Sequence, residues 1–193
     1  MSDLAPSGAV YTGPPLRVLY VCTANQCRSP FAEATLRREA AGSHIDVASA
    51  GFLSGERSVP PRGVKTGRKR GLDLSQHRSQ SLDDVDLDSF DLILTAERRH
   101  ARDIVADHPD LAARVFTIKQ FDRWAPENIR PKRAAFRPWL NVMGAQRSAT
   151  QLLGASEEDD SFDPMESSSA VWRDMSDTLD AHARGLISWL TAR

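Results

Sequence analysis

The sequence predicts an α/β fold, a three-layer sandwich in which helices cover both faces of a four-stranded parallel sheet. Four short runs are apolar and rich in β-branched residues, which is typical of strands that are buried on both faces. Segments of helical composition separate these runs along the chain. Strands that alternate with helices usually pair in parallel, so the order of the segments favours a parallel sheet.

The strands are predicted at residues 16–21, 45–48, 90–94 and 115–118, and the helices at residues 31–41, 61–70, 97–107 and 168–190. Pro30 precedes the first helix, where a first turn tolerates proline, and Gly71 follows the second, where a glycine cap is expected. The last helix has apolar residues at helical spacing, which predicts a stripe packed against the core: Val171, Met175, Leu179, Ala183, Leu186, Ile187 and Leu190.

The length and composition predict one domain, from residue 16 to residue 193. The 193 residues, 40% of them hydrophobic, suffice for one well-filled core. Residues 1–15 are rich in Gly, Pro and Ser and lack the pattern of a secretion signal, so we expect a flexible tail. The 25 Lys and Arg residues balance the 26 Asp and Glu residues, which favours neither nucleic acid nor a membrane surface as a partner. No apolar run approaches the roughly 20 residues that span a bilayer.

The chain has two cysteines, Cys22 and Cys27, in one short segment. A secreted domain stapled by disulfides would spread its cysteines along the chain, and a structural zinc site needs about four ligands. Reactive chemistry or simple burial remains as the explanation, in a reducing compartment. We therefore expect a cytoplasmic protein that needs no metal and no other cofactor.

Residues 21–30, VCTANQCRSP, place Cys22 and Arg28 in a loop between a buried strand and a helix start, with five residues between them. Backbone N–H groups of such a loop and of the helix N-terminus converge on one point and bind an anion. Arg28 can add a planar fork of donors that matches phosphate. This positive environment favours the thiolate of Cys22, to which Ser29 can donate a hydrogen bond. A thiolate beside a bound phosphate can attack phosphorus and form a phosphocysteine.

A buried cysteine at a strand end and an arginine on the surface would give the same spacing by chance. The position between a strand and a helix, with Asn25, Ser29 and Pro30 in the same segment, favours the functional interpretation.

Residues 21–34, VCTANQCRSPFAEA, resemble the signature of the low-molecular-weight protein tyrosine phosphatase family, roughly Val-Cys-x-Gly-Asn-x-Cys-Arg-Ser-Pro-x-Ala-Glu. The similarity continues in the family's order through Ser49-Ala50-Gly51, His77-Arg78-Ser79, residues 90–94 (FDLIL) and Asp163-Pro164. It covers the chain from about residue 16 to the C-terminus, except for residues 124–160.

The resemblance implies that Cys22 is the nucleophile, that Arg28 binds the phosphate and stabilises the transition state, and that Ser29 supports the thiolate. It also implies that Asp163 is the general acid for the leaving oxygen and then the base that activates water. Pro164 would stiffen the loop that presents this carboxylate.

The remaining residues of the predicted site hold or complete the phosphate-binding loop. The resemblance implies that Asn25 maintains the strained shape of the loop, with hydrogen bonds from Ser49 and His77. The loop itself is completed by Thr23, Ala24, Gln26 and Cys27. Cys27 has two interpretations, a redox partner that captures oxidised Cys22 as a disulfide and a small buried side chain under the loop.

Three departures from the family pattern are visible. Ala24 stands where the family often has glycine, so we expect a functional loop of slightly altered geometry. The aromatic walls of a phosphotyrosine slot are missing, because Met165 follows Asp163-Pro164 and Phe52 is the only aromatic residue soon after Gly51. Residues 124–160 are predicted to be an insertion, either a lid or docking surface or, as we favour, an extra surface helix with a solvated loop.

The sequence thus predicts a cysteine-dependent phosphomonoester hydrolase, with a phosphotyrosine protein or a small phosphomonoester as substrate and phosphate as product. We expect a monomer or a weak dimer. Two alternatives stay open, an arsenate reductase that uses an external thiol and a catalytically weak phosphate-binding module that docks partners.

Overall fold

The structure, a computed structural model, describes residues 15–131 and 134–191. The predicted tail, apart from residue 15, lies outside this range, as do Lys132 and Arg133 of the basic stretch. The four strands form one sheet in the order β2-β1-β3-β4, in which all neighbours are parallel. They are β1 (Leu16–Cys22), β2 (Ile45–Gly51), β3 (Leu92–Thr95) and β4 (Val115–Thr117). The predicted fold class is confirmed.

Seven α-helices lie within the described residues: α1 (Arg28–Glu39), α2 (Pro61–Arg68), α3 (Arg98–Asp107), α4 (Ile118–Glu127), α5 (Phe136–Gly144), α6 (Ala149–Leu153) and α7 (Ser169–Thr191). Short 3-10 turns occupy Leu82–Asp84, Leu87–Ser89, Pro109–Arg114 and Glu157–Asp159. None of the described helices is both long enough and apolar enough to cross a bilayer.

Alternate residues of each strand enter two separate cores, one on each face of the sheet. Val18 and Tyr20 of β1 pack with residues of α1, α4 and α7. Leu19 and Val21, which point the other way, pack with residues of α3 and of the turns around it. This alternation follows from the period of two in a strand, and it produces the three layers. In the predicted stripe of α7, Leu179, Ala183 and Leu186 are buried, and the other four residues are partly buried.

Several element boundaries differ from the prediction. Helix α1 begins at Arg28, so Pro30 lies within its first turn. Strand β3 begins at Leu92, because the 3-10 turn Leu87–Ser89 precedes it. Strand β4 ends at Thr117, whose Oγ1 accepts a hydrogen bond from the backbone N–H of Gln120 at 3.0 Å and thereby caps α4.

The region of residues 124–160 is more closely packed than the expected surface helix with a solvated loop. Its first residues complete α4, and Leu140 of α5 is fully buried in the core. Arg147 is 6% exposed, lies 3.5 Å above the ring of Phe116 and donates to the carbonyl of Val115 at 2.9 Å. Burial, with the charge of Arg98, lowers the pKa of Arg147 to about 9. That this region is an insertion stays a prediction.

Candidate active site

The predicted loop connects the end of β1 to the start of α1, at the carboxyl edge of the sheet. Such an edge is where ligands bind in open α/β sheets. The loop turns at Asn25, which has a left-handed φ of 50°. Among the described residues other than glycine, only Asn25 and Glu166 have a positive φ. Ala24 therefore needs no left-handed φ, and an alanine at this position causes no backbone strain in the loop.

Asn25 is fully buried and connects the loop to three other segments. Its Nδ2 donates to Ser29 Oγ at 2.9 Å and to Ser49 Oγ at 2.8 Å. Its Oδ1 accepts from the backbone N–H of Gln80 at 2.9 Å. The carbonyl of Asn25 accepts from His77 Nε2 at 2.8 Å, which requires the proton on that ring nitrogen. These four contacts hold the left-handed turn in place.

Gly51 lets β2 approach the loop closely. A Cβ atom at this position would lie 2.6 Å from the backbone nitrogen of Asn25, so a larger residue would displace the loop. Beside it, Ser49 Oγ donates to Glu33 Oε2 at 2.5 Å while it accepts from Asn25. Glu33 of α1 thus orients the serine hydroxyl toward its role as an acceptor.

Cys22 lies at the base of the loop, and its Sγ is 3.0 Å from Ser29 Oγ. Because Asn25 donates to this hydroxyl, the Ser29 proton is available to the sulfur or to the carbonyl of Ala50, which is 3.3 Å away. Both cysteines are free thiols. Cys27 is 3% exposed, and burial, followed by the charges of Asp163 and Cys22, raises its pKa well above the ordinary range.

The Arg28 side chain is 2% exposed and lies among carboxylates and oxygen atoms. Its Nη1 donates to Glu97 Oε1 at 2.5 Å and to the carbonyl of Ser161 at 3.0 Å, and its Nη2 donates to Asp163 Oδ2 at 2.8 Å. The third nitrogen, Nε, is buried and has no partner among the described residues. One donor of the guanidinium is therefore left for an anionic ligand.

Asp163 thus meets the phosphate loop through Arg28. Its Oδ1 accepts from the backbone N–H of Met165 at 3.0 Å, and its side chain is 46% exposed. The structure brings the nucleophile candidate, the arginine and the carboxylate into one cleft, although they are 141 residues apart in the chain from Cys22 to Asp163. No group of three or more His, Cys, Asp or Glu side chains suited to a metal ion occurs in the described part of the chain.

A family model for low molecular weight phosphotyrosine protein phosphatases matches residues 17–130, which include the loop and its supports. The chain belongs to the low molecular weight phosphotyrosine protein phosphatase family. The low molecular weight protein-tyrosine-phosphatase Wzb of Salmonella typhi is 30% identical over 141 residues, which is 72% of this chain and 93% of that protein. A protein-arginine-phosphatase of Bacillus subtilis is 33% identical over 107 residues, 54% of this chain and 71% of its own length.

A solved low molecular weight protein tyrosine phosphatase from T. tengcongensis has the same fold, with a TM-score of 0.67 and 28% identity. The superposition covers 90% of this chain and 98% of that one. The phosphatase described here is therefore an enzyme of this family in sequence and in fold.

Sequence reasoning missed Glu97, the carboxylate that holds the arginine of this phosphatase. Burial raises the pKa of Glu97, but hydrogen bonds from Arg99 and Arg28, with the charge of Arg28, outweigh burial and lower it to about 2. Glu97 is therefore ionised at neutral pH. A usable signal existed, since Glu97 is the second residue after β3, the neighbour of β1, and the carboxyl ends of parallel strands meet at one edge.

His100 was also missed. Its Nε2 lies 3.0 Å from Thr23 Oγ1 in the phosphate loop, and its ring stacks on Phe52 with the centroids 5.3 Å apart. Burial lowers the pKa of His100 to about 4; the charges of Arg28 and Arg99 act in the same direction, and the charge of Glu97 opposes them. The ring is therefore neutral at pH 7. Phe52, which the sequence offered as a slot aromatic, is already paired with this histidine.

Two exposed apolar side chains flank the cleft of the phosphatase. Leu53 is 45% exposed, and its backbone N–H donates to the carbonyl of Thr23 at 3.0 Å. Phe162 is 70% exposed and immediately precedes Asp163. Met165, the residue that the sequence compares with the usual slot aromatic, packs against the core. Gln26 also turns away from the loop centre, because its Nε2 donates to the carbonyl of Ser58 at 2.9 Å.

Proposed function

We propose that the enzyme hydrolyses phosphomonoesters in two steps through a phosphocysteine on Cys22. The observation that carries the proposal is the contact of Cys22 Sγ with Ser29 Oγ at the base of a loop whose arginine bonds Asp163. In the first step, the thiolate attacks phosphorus, the S–P bond forms and the bond to the leaving oxygen breaks. Asp163 gives its proton to that oxygen.

In the second step, Asp163 takes a proton from water, the water oxygen attacks phosphorus and the S–P bond breaks. Inorganic phosphate leaves, the thiolate of Cys22 is restored and Asp163 again carries the proton for the next cycle. Arg28 stabilises the charge on the equatorial oxygens in both steps, with the fork that Glu97 orients. The phosphate dianion replaces the carboxylate of Asp163 as the partner of Nη2, which frees the acid for the leaving group.

We infer a preference for phosphotyrosine from the two apolar residues at the cleft, Leu53 and Phe162. An exposed isobutyl group and an exposed ring, on two different loops of the site, offer apolar surface to an aromatic leaving group, and such contacts favour burial of the tyrosine ring. The relative from B. subtilis is named a protein-arginine-phosphatase, so phosphoarginine is the substrate to compare. A reactive thiolate needs a reducing compartment, and we place the enzyme in the cytoplasm.

The test is hydrolysis of p-nitrophenyl phosphate by the reduced wild type, by Cys22→Ser and by Asp163→Ala, without added metal. We expect no turnover from Cys22→Ser and a loss of about 100-fold or more in kcat from Asp163→Ala, since a positioned acid contributes 10²–10⁴-fold. Rapid quenching of Asp163→Ala should show the phosphoenzyme by mass.

A second measurement compares phosphotyrosine and phosphoarginine peptides of the same sequence. Faster hydrolysis of phosphotyrosine supports the preference, and faster hydrolysis of phosphoarginine overturns it. Absence of all hydrolysis by folded, reduced wild type would overturn the phosphatase mechanism. Reduction of arsenate with an external thiol, or phosphate binding alone, would then describe the site.

A further inference from the structure

A basic cavity of about 360 Å³ lies between α2 and the first turns of α7. Among the described residues that line it, five are cationic and none is acidic: Arg62, Lys65, Lys69, Arg70 and Arg173, with Thr66 and Ser169. The whole chain has a formal net charge of −1, so its composition alone does not produce such a cluster. We call this group of residues the basic cavity.

Most of the positive charge in the basic cavity has no internal partner. Arg70 is neutralised, since it pairs with Asp177 and with Asp180, both at 2.6 Å. Lys65, Lys69 and Arg173 form no ion pair with any residue that the structure describes. Like charges one turn apart on a helix repel each other, so this arrangement costs stability rather than adding to it. Its charges remain available to an anionic partner.

Hydrogen bonds connect the elements that line the basic cavity to both loops of the active site. Arg62 donates to the carbonyl of Ser167, which lies in the segment between Asp163 and α7. The carbonyl of Ser58, three residues before α2 begins, accepts a hydrogen bond from Gln26 of the phosphate loop. Each loop of the site is therefore linked by one hydrogen bond to the cavity or to the segment that leads into α2.

We propose that the basic cavity binds an acidic segment of the phosphorylated protein substrate, adjacent to the residue that is dephosphorylated. This proposal rests on the proposed function and adds to it the class of substrate. Several carboxylates on one extended segment match the unpaired cations, and such complementarity speeds encounter and orients the partner. The free energy comes from exposed charges, so the contribution is moderate and depends on salt.

The experiment uses two tyrosine phosphopeptides of equal length, one with Asp and Glu on both sides of the phosphotyrosine and one with Asn and Gln there. The double variant Lys65→Glu/Lys69→Glu reverses two charges in the basic cavity. Its matched control is Arg68→Glu/Arg184→Glu, which reverses two exposed charges of α2 and α7 that do not line the cavity.

For the wild type at low salt, we expect kcat/KM to be about ten-fold higher for the acidic peptide, because each exposed pair contributes a few-fold. The cavity variant should lose this preference and the control variant should keep it. The wild-type preference should also fade at about 0.5 M salt, where the screening length falls to a few ångströms.

Equal hydrolysis of the two peptides by an active wild type overturns the proposal. An equal loss of preference in the control variant also overturns it, because the preference would then come from the overall charge of the protein and not from the basic cavity. If the wild type shows no peptide preference but binds vesicles containing phosphatidylserine, and the cavity variant does not, the surface binds membranes instead. Calorimetry with Cys22→Ser compares the affinities of the acidic and the neutral peptide. Tighter binding of the acidic peptide supports docking even if the wild type fails to hydrolyse p-nitrophenyl phosphate, and equal affinities overturn it.

Discussion

The phosphate loop (residues 22–29) and the acid loop (residues 161–168) meet at Arg28, but different interactions hold them. The phosphate loop depends on neutral hydrogen bonds inside the protein: Asn25 is fully buried, and all its partners are serines, a histidine ring and backbone groups. The acid loop is exposed, and its carboxylate reaches the site through an ion pair with Arg28 at 2.8 Å.

The two residues just before the acid loop are held mainly by charged groups. Asp159, which is 3% exposed, pairs with Arg98 at 3.3 Å and with Arg123. Asp160 accepts from the backbone N–H of Arg98 at 2.7 Å, and its carbonyl accepts from Lys119 Nζ at 2.5 Å. The backbone N–H of Ser161 then donates to the carbonyl of Ala96 at 2.8 Å. Neutral hydrogen bonds therefore position the loop of the nucleophile, whereas ion pairs position the loop of the acid.

The largest effect should come from Asn25→Ala. The substitution leaves Ser29, Ser49 and the Gln80 N–H without their partner, and each unpaired buried group costs about 1–3 kcal/mol. We expect the free energy of unfolding to fall by about 3–4 kcal/mol. We expect kcat/KM to fall by about 100-fold or more, for good and poor leaving groups alike, since small displacements of reacting groups have effects of that size. Denaturant unfolding and steady-state kinetics measure both.

Asn25→Gly is the control for backbone strain. It loses the same hydrogen bonds but tolerates the left-handed φ of 50°, so it should be about 1 kcal/mol more stable than Asn25→Ala. Equal stability of the two variants would show that the conformation of the turn carries no strain.

This difference between the loops also explains what the sequence could predict. The phosphate loop is a contiguous run that follows a strand, so VCTANQCRSP predicts its position, its chemistry and the start of a helix. Its supports at Ser49 and His77 came from the resemblance, because hydrogen bonds across 24 and 52 residues have no periodic signal. The sequence does not show which residue of the loop has a positive φ; the structure shows that it is Asn25 and not its neighbour Ala24.

The segment before the acid loop could not be predicted to the same depth. Its prolines and charges favour a solvated surface, because the sequence alone does not show whether an arginine is exposed or buried. Arg98 and Arg147 are buried because backbone carbonyls accept from them, and such partners leave no trace in residue types. Glu97 was noticed only as a helix start, although its position after β3 places it at the ligand-binding edge.

The second prediction concerns the acid loop. Asp159→Asn removes one charge of a buried ion pair and keeps the size of the side chain, which should shift Asp163 away from the leaving oxygen. We expect kcat to fall about ten-fold for a phosphotyrosine peptide, whose leaving group has a pKa of about 10, and less for p-nitrophenyl phosphate, which needs less help from an acid. KM should stay nearly constant, since the phosphate loop is untouched.

Arg123→Gln is the matched control, because it removes the exposed partner of the same carboxylate. Exposed ion pairs contribute about 0–1 kcal/mol, so this variant should retain both activities within about three-fold. If Asp159→Asn reduces hydrolysis of both substrates by the same factor, the segment supports the whole fold and not the acid. Thermal unfolding, recorded for each variant, separates the two explanations.

The smallest effect should come from protonation of His100, which contacts Thr23 of the phosphate loop. The folded pKa of His100, about 4, lies below the ordinary value of 6.5, so the unfolded state binds the extra proton between these values. Stability is therefore complete above pH 6.5 and should decline by about 1 kcal/mol per pH unit as the pH falls toward 4. Thermal melting between pH 7 and pH 4.5 measures the decline.

His100→Gln should flatten this dependence, because glutamine binds no proton and its amide can still meet Thr23 Oγ1. The exposed His108 gives the control: His108→Gln should leave the decline unchanged. If both variants melt with the wild-type dependence on pH, other groups cause the acid sensitivity. If only His100→Gln is flat, protonation of a single ring behind the phosphate loop is what destabilises the enzyme in acid. The loop that is built from neutral hydrogen bonds would then have one point at which charge can disturb it.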